Sequence, residues 1–339
     1  MGRYTRAIAA VAALGMSMSL AACGSSSDKS GSGGGKKVQL ALVAYSTPQE
    51  AYQKLIKAFQ ATPAGKNVTF TQSYGASGDQ SRAVASGLKA DIVAFSLETD
   101  ITRLVKAGLV DATWNQNPTK GMVTDSVVVL TTRKGNPKSI KTWTDLTKPG
   151  VQVITPNPFT SGGARWNLLA GYGAASNKGA NKAAGIAYLS SLLKNVPVQD
   201  DSGRKALQTF TNGKGDVAIT YENEAVFAQK HGQAVDYTIP DQTILIENPV
   251  AVTKNSQHPT EAKAFLDFLH SQQGQKIFAD EGYRPTLQGV TGSVNFPTPP
   301  GLFTIKDLGG WSTVTDELFD ANKGAVAGIE KKLGVSTSK

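Results

Sequence analysis

Four segments of the sequence place serine where an apolar, strand-like run ends and a helical pattern begins: residues 45–50, 72–80, 156–166 and 199–205. The first N–H groups of a helix have no partner within it, and each helix start carries about half a positive charge. Three of these segments also contain glycine, which lets a ligand approach the backbone closely. Three such helix starts sum to roughly +1.5 charges, so the pattern favours binding of a dianion.

The candidate donors follow from these segments. Ser77 lies between two glycines, Ser161 precedes the pair Gly162 and Gly163, and Gly203 begins the last helical pattern. A serine hydroxyl adds one donor beside the backbone amides. Serine is also a preferred N-cap residue, so each junction taken alone is better explained as an ordinary helix start. The occurrence of three glycine-containing junctions in one chain weakens that explanation without overturning it.

The first junction has the residues of a helix cap. Thr47 is predicted to be the N-cap, Pro48 the first helical residue, and Glu50 the partner that completes a capping box. Such a cap would fix where the first helix begins.

Short apolar runs alternate with helical patterns from Val38 onward, which predicts an α/β protein with mostly parallel sheets. The chain is long enough for two domains. We expect two lobes, one formed by residues 38–125 and 250–339 and the other by residues 126–249. Strands near residues 125–132 and 244–254 would cross between them and leave a ligand cleft.

Other chemistries find weak support. Ser77 lacks the G-x-S-x-G spacing of a hydrolase nucleophile, and the histidines His231, His258 and His270 are scattered. One cysteine and three histidines assemble no metal cluster, and the folded part has no dinucleotide-binding or Walker A glycine motif. The net charge is +9, yet no run of five or more basic residues indicates nucleic-acid binding.

Three residues near position 222 have two interpretations each. Tyr221 ends a strand-like run, so its ring belongs either to the core or to a cleft into which the hydroxyl points. Glu222 and Glu224 follow at once, and they suit either acid–base chemistry or a solvated helix start, the latter being favoured.

The first 37 residues are predicted to form a secretion signal followed by a lipid-anchored linker. Arg3 and Arg6 precede an apolar run too short to span a membrane, which is typical of a signal peptide over residues 1–22. The run ends in Leu-Ala-Ala-Cys, which looks like a bacterial lipobox, and Cys23 would carry the lipid. Residues 23–37 then form a Gly/Ser-rich flexible linker. This arrangement predicts attachment to a membrane surface by lipid only.

Several motifs together resemble the sulfate-binding proteins of bacterial sulfate/thiosulfate ABC transporters. These motifs lie at residues 75–80, 133–138, 156–166, 221–225, 283–285, 302–305 and 309–311. The resemblance runs from about Val38 to beyond Trp311, nearly the whole mature chain.

The resemblance implies a two-lobed type II periplasmic-binding-protein fold that closes on one sulfate, without cofactor or catalysis. In the family the anion is held by neutral donors, which here match Ser161, Gly162 and Gly163, Ser77, and the amide of Gly203. The partners implied are the permease and ATPase subunits of an importer.

The resemblance also implies a supporting rather than a direct role for two arginines, Arg165 and Arg204. Two positions depart from the family. Tyr221 replaces a tryptophan whose indole N–H donates to the anion, and Ser46 stands where relatives carry aspartate. A phenol can accept as well as donate. Thiosulfate, molybdate or tungstate therefore remain alternative ligands, and a tethered serine hydrolase is the alternative from another class.

Overall fold

The computed structural model describes residues 37–337. Its strands are β1 Val38–Tyr45, β2 Val68–Gly75, β3 Ile92–Ala94, β4 Met122–Arg133, β5 Val153–Ile154, β6 Val217–Tyr221, β7 Val235–Thr238, β8 Leu245–Val252 and β9 Arg284–Pro285. Its helices are α1 Gln49–Gln60, α2 Ser77–Ala85, α3 Glu98–Lys106, α4 Gly162–Ala175, α5 Lys182–Lys194, α6 Gly203–Thr211, α7 Glu222–Lys230, α8 Pro259–Leu269, α9 Gln272–Asp280, α10 Gly310–Val314 and α11 Ala325–Lys332.

The apolar pattern explains how these elements pack. In α1 the buried residues Ala51, Tyr52, Leu55, Ile56 and Phe59 recur at the spacing of one helix face. Helix α4 is buried along most of its length, so it runs through the interior rather than over the surface. Close packing around α4 requires glycine, because a Cβ at position 173 would lie 2.3 Å from the ring of Phe303.

Two long strands join two halves of the sheet, whose order is β2-β1-β3-β8-β4-β6-β5. Strand β8 pairs with β3 at one end and with β4 at the other. Beyond β8, strand β4 continues to pair with β6 and β7. We call the part with β1, β2 and β3 the first half and the part with β5, β6 and β7 the second half. The α/β class and the two crossing strands are as predicted.

The expectation of mostly parallel sheets is wrong. Within residues 37–337 the parallel pairings are β1 with β2, β1 with β3, and β5 with β6. Five antiparallel pairings accompany them, and each involves β4 or β8. The physical reason is that β4 and β8 cross between the two halves. Each of them therefore runs antiparallel to the strands beside it.

The hydrophobic core forms separate clusters on the two halves. One cluster surrounds α1, α8 and α9 on the first half. Another surrounds α4 and α5, and it also contains Phe303, Trp311 and Phe319 from the C-terminal segment. The rings of Trp166 and Trp311 lie 4.7 Å apart there. The predicted lobe boundaries stay a prediction, and these contacts favour placing the chain after Phe303 with the second half.

Two further predictions concern the N-terminal part of the chain. The signal peptide, Cys23 and nearly all of the linker lie outside the described residues. In the described part no helix is long and apolar enough to cross a membrane. The predicted capping box at the start of the first helix is wrong. Helix α1 begins at Gln49 with Pro48 as its N-cap, and no side chain caps it. Thr47 lies one position too early, and it faces the cavity described below.

Candidate functional site

Helix starts converge on one small, largely buried cavity. Six of the predicted ligand residues line it: Ser46, Ser77, Ser161, Gly163, Gly203 and Tyr221. They come from the junctions ahead of α1, α2, α4, α6 and α7. The space open to the centre of a water molecule is about 20 Å³, slightly more than the roughly 10–15 Å³ that one water requires. A cavity of this size suits a small ion.

Ser161 is the N-cap of α4. Its hydroxyl oxygen accepts a hydrogen bond from the Ala164 N–H at 3.3 Å, which leaves the hydroxyl proton free to be donated. Gly163 lines the cavity beside it, whereas Gly162 does not. A Cβ at position 162 would lie 2.7 Å from the Ser96 hydroxyl, so Gly162 is needed for the close approach of the α4 start to the first half.

Ser77 begins α2, but its hydroxyl is already engaged. It donates to the carboxylate of Asp100 at 2.6 Å and accepts from the Ser96 N–H at 2.9 Å. Arg103 donates to the other oxygen of Asp100 at 2.8 Å. In this arrangement the Ser77 hydroxyl has no second proton for an anion. The backbone N–H of Ser77, at the first position of the helix, is the donor available to a ligand.

Sequence reasoning missed Ser96, which also lines the cavity. Ser96 follows β3 and precedes α3, so it repeats the strand–serine–helix pattern without a glycine to mark it. Its hydroxyl lies 2.6 Å from the Tyr221 hydroxyl. Its carbonyl accepts a hydrogen bond from the Trp166 indole N–H at 2.9 Å. The strand–serine–helix pattern alone was the signal that would have found it.

Tyr221 ends β6 with its ring buried, 3% exposed. Burial raises the pKa of the Tyr221 phenol above its ordinary value, so the group is neutral at physiological pH. The Tyr221 and Ser96 hydroxyls form a pair in which either can be the donor. Both interpretations therefore hold in part, because Tyr221 is buried and also lines the cavity.

The charged groups near the cavity are paired with one another. Arg204 donates to both oxygens of Glu224, at 3.0 and 2.7 Å, and to the Thr47 carbonyl at 2.7 Å. Glu222 is likewise held by Arg284, at 2.7 and 3.1 Å. These ion pairs leave the two glutamates poorly suited to acid–base chemistry.

Arg165 lies outside the cavity wall. Its Nε donates to the Pro158 carbonyl at 2.9 Å, and its guanidinium lies 5.0 Å from the centre of the Phe319 ring. Burial lowers the pKa of the Arg165 guanidinium to about 10, against the opposing effect of Asp100. The contact with Pro158 holds the loop that leads to Ser161. The structure therefore places Arg165 and Arg204 behind the cavity, where they contact the loops that form it.

The fold and the cavity define a two-lobed binding protein for a small solute, of the type II periplasmic-binding-protein architecture. The chain belongs to the family described as bacterial extracellular solute-binding protein, whose model matches residues 40–284.

Individual relatives are similar over most of the chain. A sulfate-binding protein of Synechococcus elongatus is 45% identical over 296 residues, covering 84% of this chain and 85% of that protein. A thiosulfate-binding protein of Pseudomonas aeruginosa is 35% identical, covering 80% and 86%. Among solved structures, the sulfate-binding protein SubI from Mycobacterium tuberculosis superposes with a TM-score of 0.81 at 47% identity, covering 84% of this chain and 100% of that one.

Proposed function

We propose that this protein binds sulfate outside the cytoplasm and delivers it to the permease and ATPase subunits of an ABC importer, without catalysis. The observation that carries the proposal is a cavity of ionic size lined mainly by hydroxyls and helix-start amides. The carboxylate in its lining, that of Glu224, is held by Arg204. Sulfate has oxygens that only accept hydrogen bonds at neutral pH, so a wall of donors matches it. The similarity to proteins named sulfate-binding points to the same ligand.

The proposed ligand set is Ser46, Ser77, Ser161, Gly162, Gly163, Gly203 and Tyr221. Within it, the free proton of the Ser161 hydroxyl and the amides at the starts of α2, α4 and α6 supply the donors. Gly162 does not line the cavity, and its proposed part is the amide at the first position of α4. Arg165 and Arg204 support these loops through the carbonyls of Pro158 and Thr47.

Thiosulfate is the second candidate ligand. It is favoured by the 35% identity to a thiosulfate-binding protein and by the exchangeable donor and acceptor roles of the Tyr221 hydroxyl. Thiosulfate is a larger dianion of the same charge, so the two ions differ in the space that they require in the cavity.

The deciding experiment is isothermal titration of the purified protein with sulfate in sulfate-free buffer, followed by thiosulfate, molybdate and phosphate as competitors. We expect one-to-one binding of sulfate and weaker competition by phosphate, whose proton requires an acceptor. Equal competition by phosphate would refute the specificity argument. Absence of heat with every oxyanion would refute the proposed function.

We further propose that Cys23 carries a lipid that attaches the protein to the outer face of the cytoplasmic membrane. The lipobox-like sequence and the following Gly/Ser-rich linker support this. Replacement of Cys23 with serine should release the protein from the membrane fraction. Equal membrane association of the two forms would contradict lipid attachment.

A further inference from the structure

We propose that four residues on the outer edge of the two halves form a clasp that slows release of the anion and makes the release rate depend on pH. The clasp consists of Glu50 and Glu281 on the first half and Lys230 and His231 on the second. The inference rests on the proposed function, because its readout is the release of sulfate.

The clasp joins elements that belong to different halves. Glu50 lies in α1 and Glu281 follows α9, and these two helices pack together through Tyr52 and Phe278, whose rings are 5.9 Å apart. Lys230 ends α7 on the second half. The clasp therefore connects the end of one helix in the second half to two packed helices in the first.

Two ion pairs cross between the halves at this edge. The His231 Nε2 lies 3.2 Å from a carboxylate oxygen of Glu50, and the Lys230 ammonium lies 3.3 Å from one of Glu281. Lys230 also donates to the carbonyl of Asp280. From the first half, Lys54 contacts both glutamates, at 3.2 and 2.8 Å. Lys54 thus holds the two carboxylates in position for the partners from α7.

The contacts of His231 require a doubly protonated ring. Its Nδ1 lies 2.9 Å from the Phe227 carbonyl oxygen and its Nε2 lies 3.2 Å from Glu50. A carbonyl and a carboxylate can only accept hydrogen bonds, so both ring nitrogens must carry a proton for both contacts to form. Histidine gains its second proton as the solution becomes more acidic. Acid should therefore tighten the clasp and alkali should loosen it.

The other charged groups around the ring do not reverse this sign. Lys230, at the end of α7, forms an ion pair with Glu281. Lys54 of α1 forms ion pairs with Glu50 and Glu281. From α6 the guanidinium of Arg204 lies 3.6 Å from the centre of the Phe227 ring, on which His231 also packs at 4.1 Å. The charge of Arg204 is matched by Glu224, so its repulsion of a charged imidazole is offset.

The clasp shares a segment with the anion cavity. Ser46 and Thr47 line the cavity, and Glu50 follows within the first turn of α1. Between the two, Arg204 of the second half donates to the Thr47 carbonyl. Separation of the clasp would therefore act on the same helix start that borders the ligand.

The test is the rate at which the full chain, loaded with radiolabelled sulfate, releases the label into excess unlabelled sulfate between pH 5.5 and 8.5. Exposed ion pairs are weak, so we expect wild-type release to accelerate about two- to fivefold across this range. His231→Gln, which keeps one donor but does not titrate, should release at a rate independent of pH. Lys230→Gln should release faster at every pH and keep the pH dependence.

The matched control is His258→Gln, since His258 precedes α8 on the first half. This variant should keep the wild-type pH dependence, and the melting temperatures of all ligand-free variants should match that of the wild type. A flat wild-type profile, or an unchanged slope in His231→Gln, would overturn the clasp while leaving sulfate binding intact. A wild-type protein that binds no sulfate would instead overturn the proposed function and the clasp with it.

Discussion

The Ser161 hydroxyl gives the sharpest test of the site, because the structure assigns it two separable tasks. Its oxygen caps α4 by accepting from the Ala164 N–H, and its proton is free for the anion. A hydrogen bond to a charged group contributes about 1.5–3 kcal/mol, so Ser161→Ala should weaken sulfate binding roughly 10- to 150-fold. Loss of the cap should also lower the free energy of unfolding by about 1 kcal/mol.

A second serine in the chain separates these effects. Ser271 caps α9 in the same way, accepting from the Gly274 N–H at 3.1 Å, and it does not line the cavity. The Ser271 hydroxyl also donates to the Phe268 carbonyl at 2.6 Å. Ser271→Ala should therefore lose at least as much stability as Ser161→Ala and keep the wild-type affinity for sulfate. Titration calorimetry gives the affinities and denaturant unfolding of the ligand-free proteins gives the stabilities. If the two variants bind sulfate equally well, Ser161 is only a helix cap and the reasoning fails.

Three further predictions concern the groups around Ser161. Tyr221→Phe removes a hydroxyl that pairs with Ser96 at 2.6 Å, so the sulfate affinity measured by calorimetry should fall about tenfold; an unchanged affinity would exclude Tyr221 from the site. Because burial raises the pKa of Tyr221, the unfolded state loses this proton first; the free energy of unfolding should therefore fall as the pH rises above about 10, and less so in Tyr221→Phe. Gly162→Ala should lower the free energy of unfolding by about 1–3 kcal/mol, since the new Cβ would lie 2.7 Å from Ser96. Gly203→Ala should lower it less, because the nearest atom to the new Cβ lies 3.2 Å away in Thr47. Equal losses in denaturant unfolding would contradict this prediction.

The helix starts could be predicted because their signals are local. Ser161 and the two glycines after it mark a cap and a close approach within a few residues of chain, and α4 begins there. The same holds for Gly203 and Ser77, each at the first position of its helix. Local signals were enough to bring these residues to one cavity once the α/β alternation was known.

The partners of these residues could not be predicted, because they are distant in sequence. The proton of Ser77 goes to Asp100, 23 residues later, which no motif indicates. Ser96 carries no glycine beside it, and its pairing with Tyr221 spans 125 residues. The direction of β4 and β8 likewise depends on which half each strand enters, and an apolar run has no signal for direction.

The pairing of charges behind the cavity determines how strongly the salt concentration affects ligand binding. Asp100 is matched by Arg103 and Glu224 by Arg204, so the ligand meets dipoles and hydroxyls instead of a free counter-charge. Ionic strength screens exposed charges over about 8–10 Å at ordinary salt concentrations, but it acts far less on buried donors. The contacts between the cavity and its ligand should therefore change little when the salinity outside the cell rises or falls.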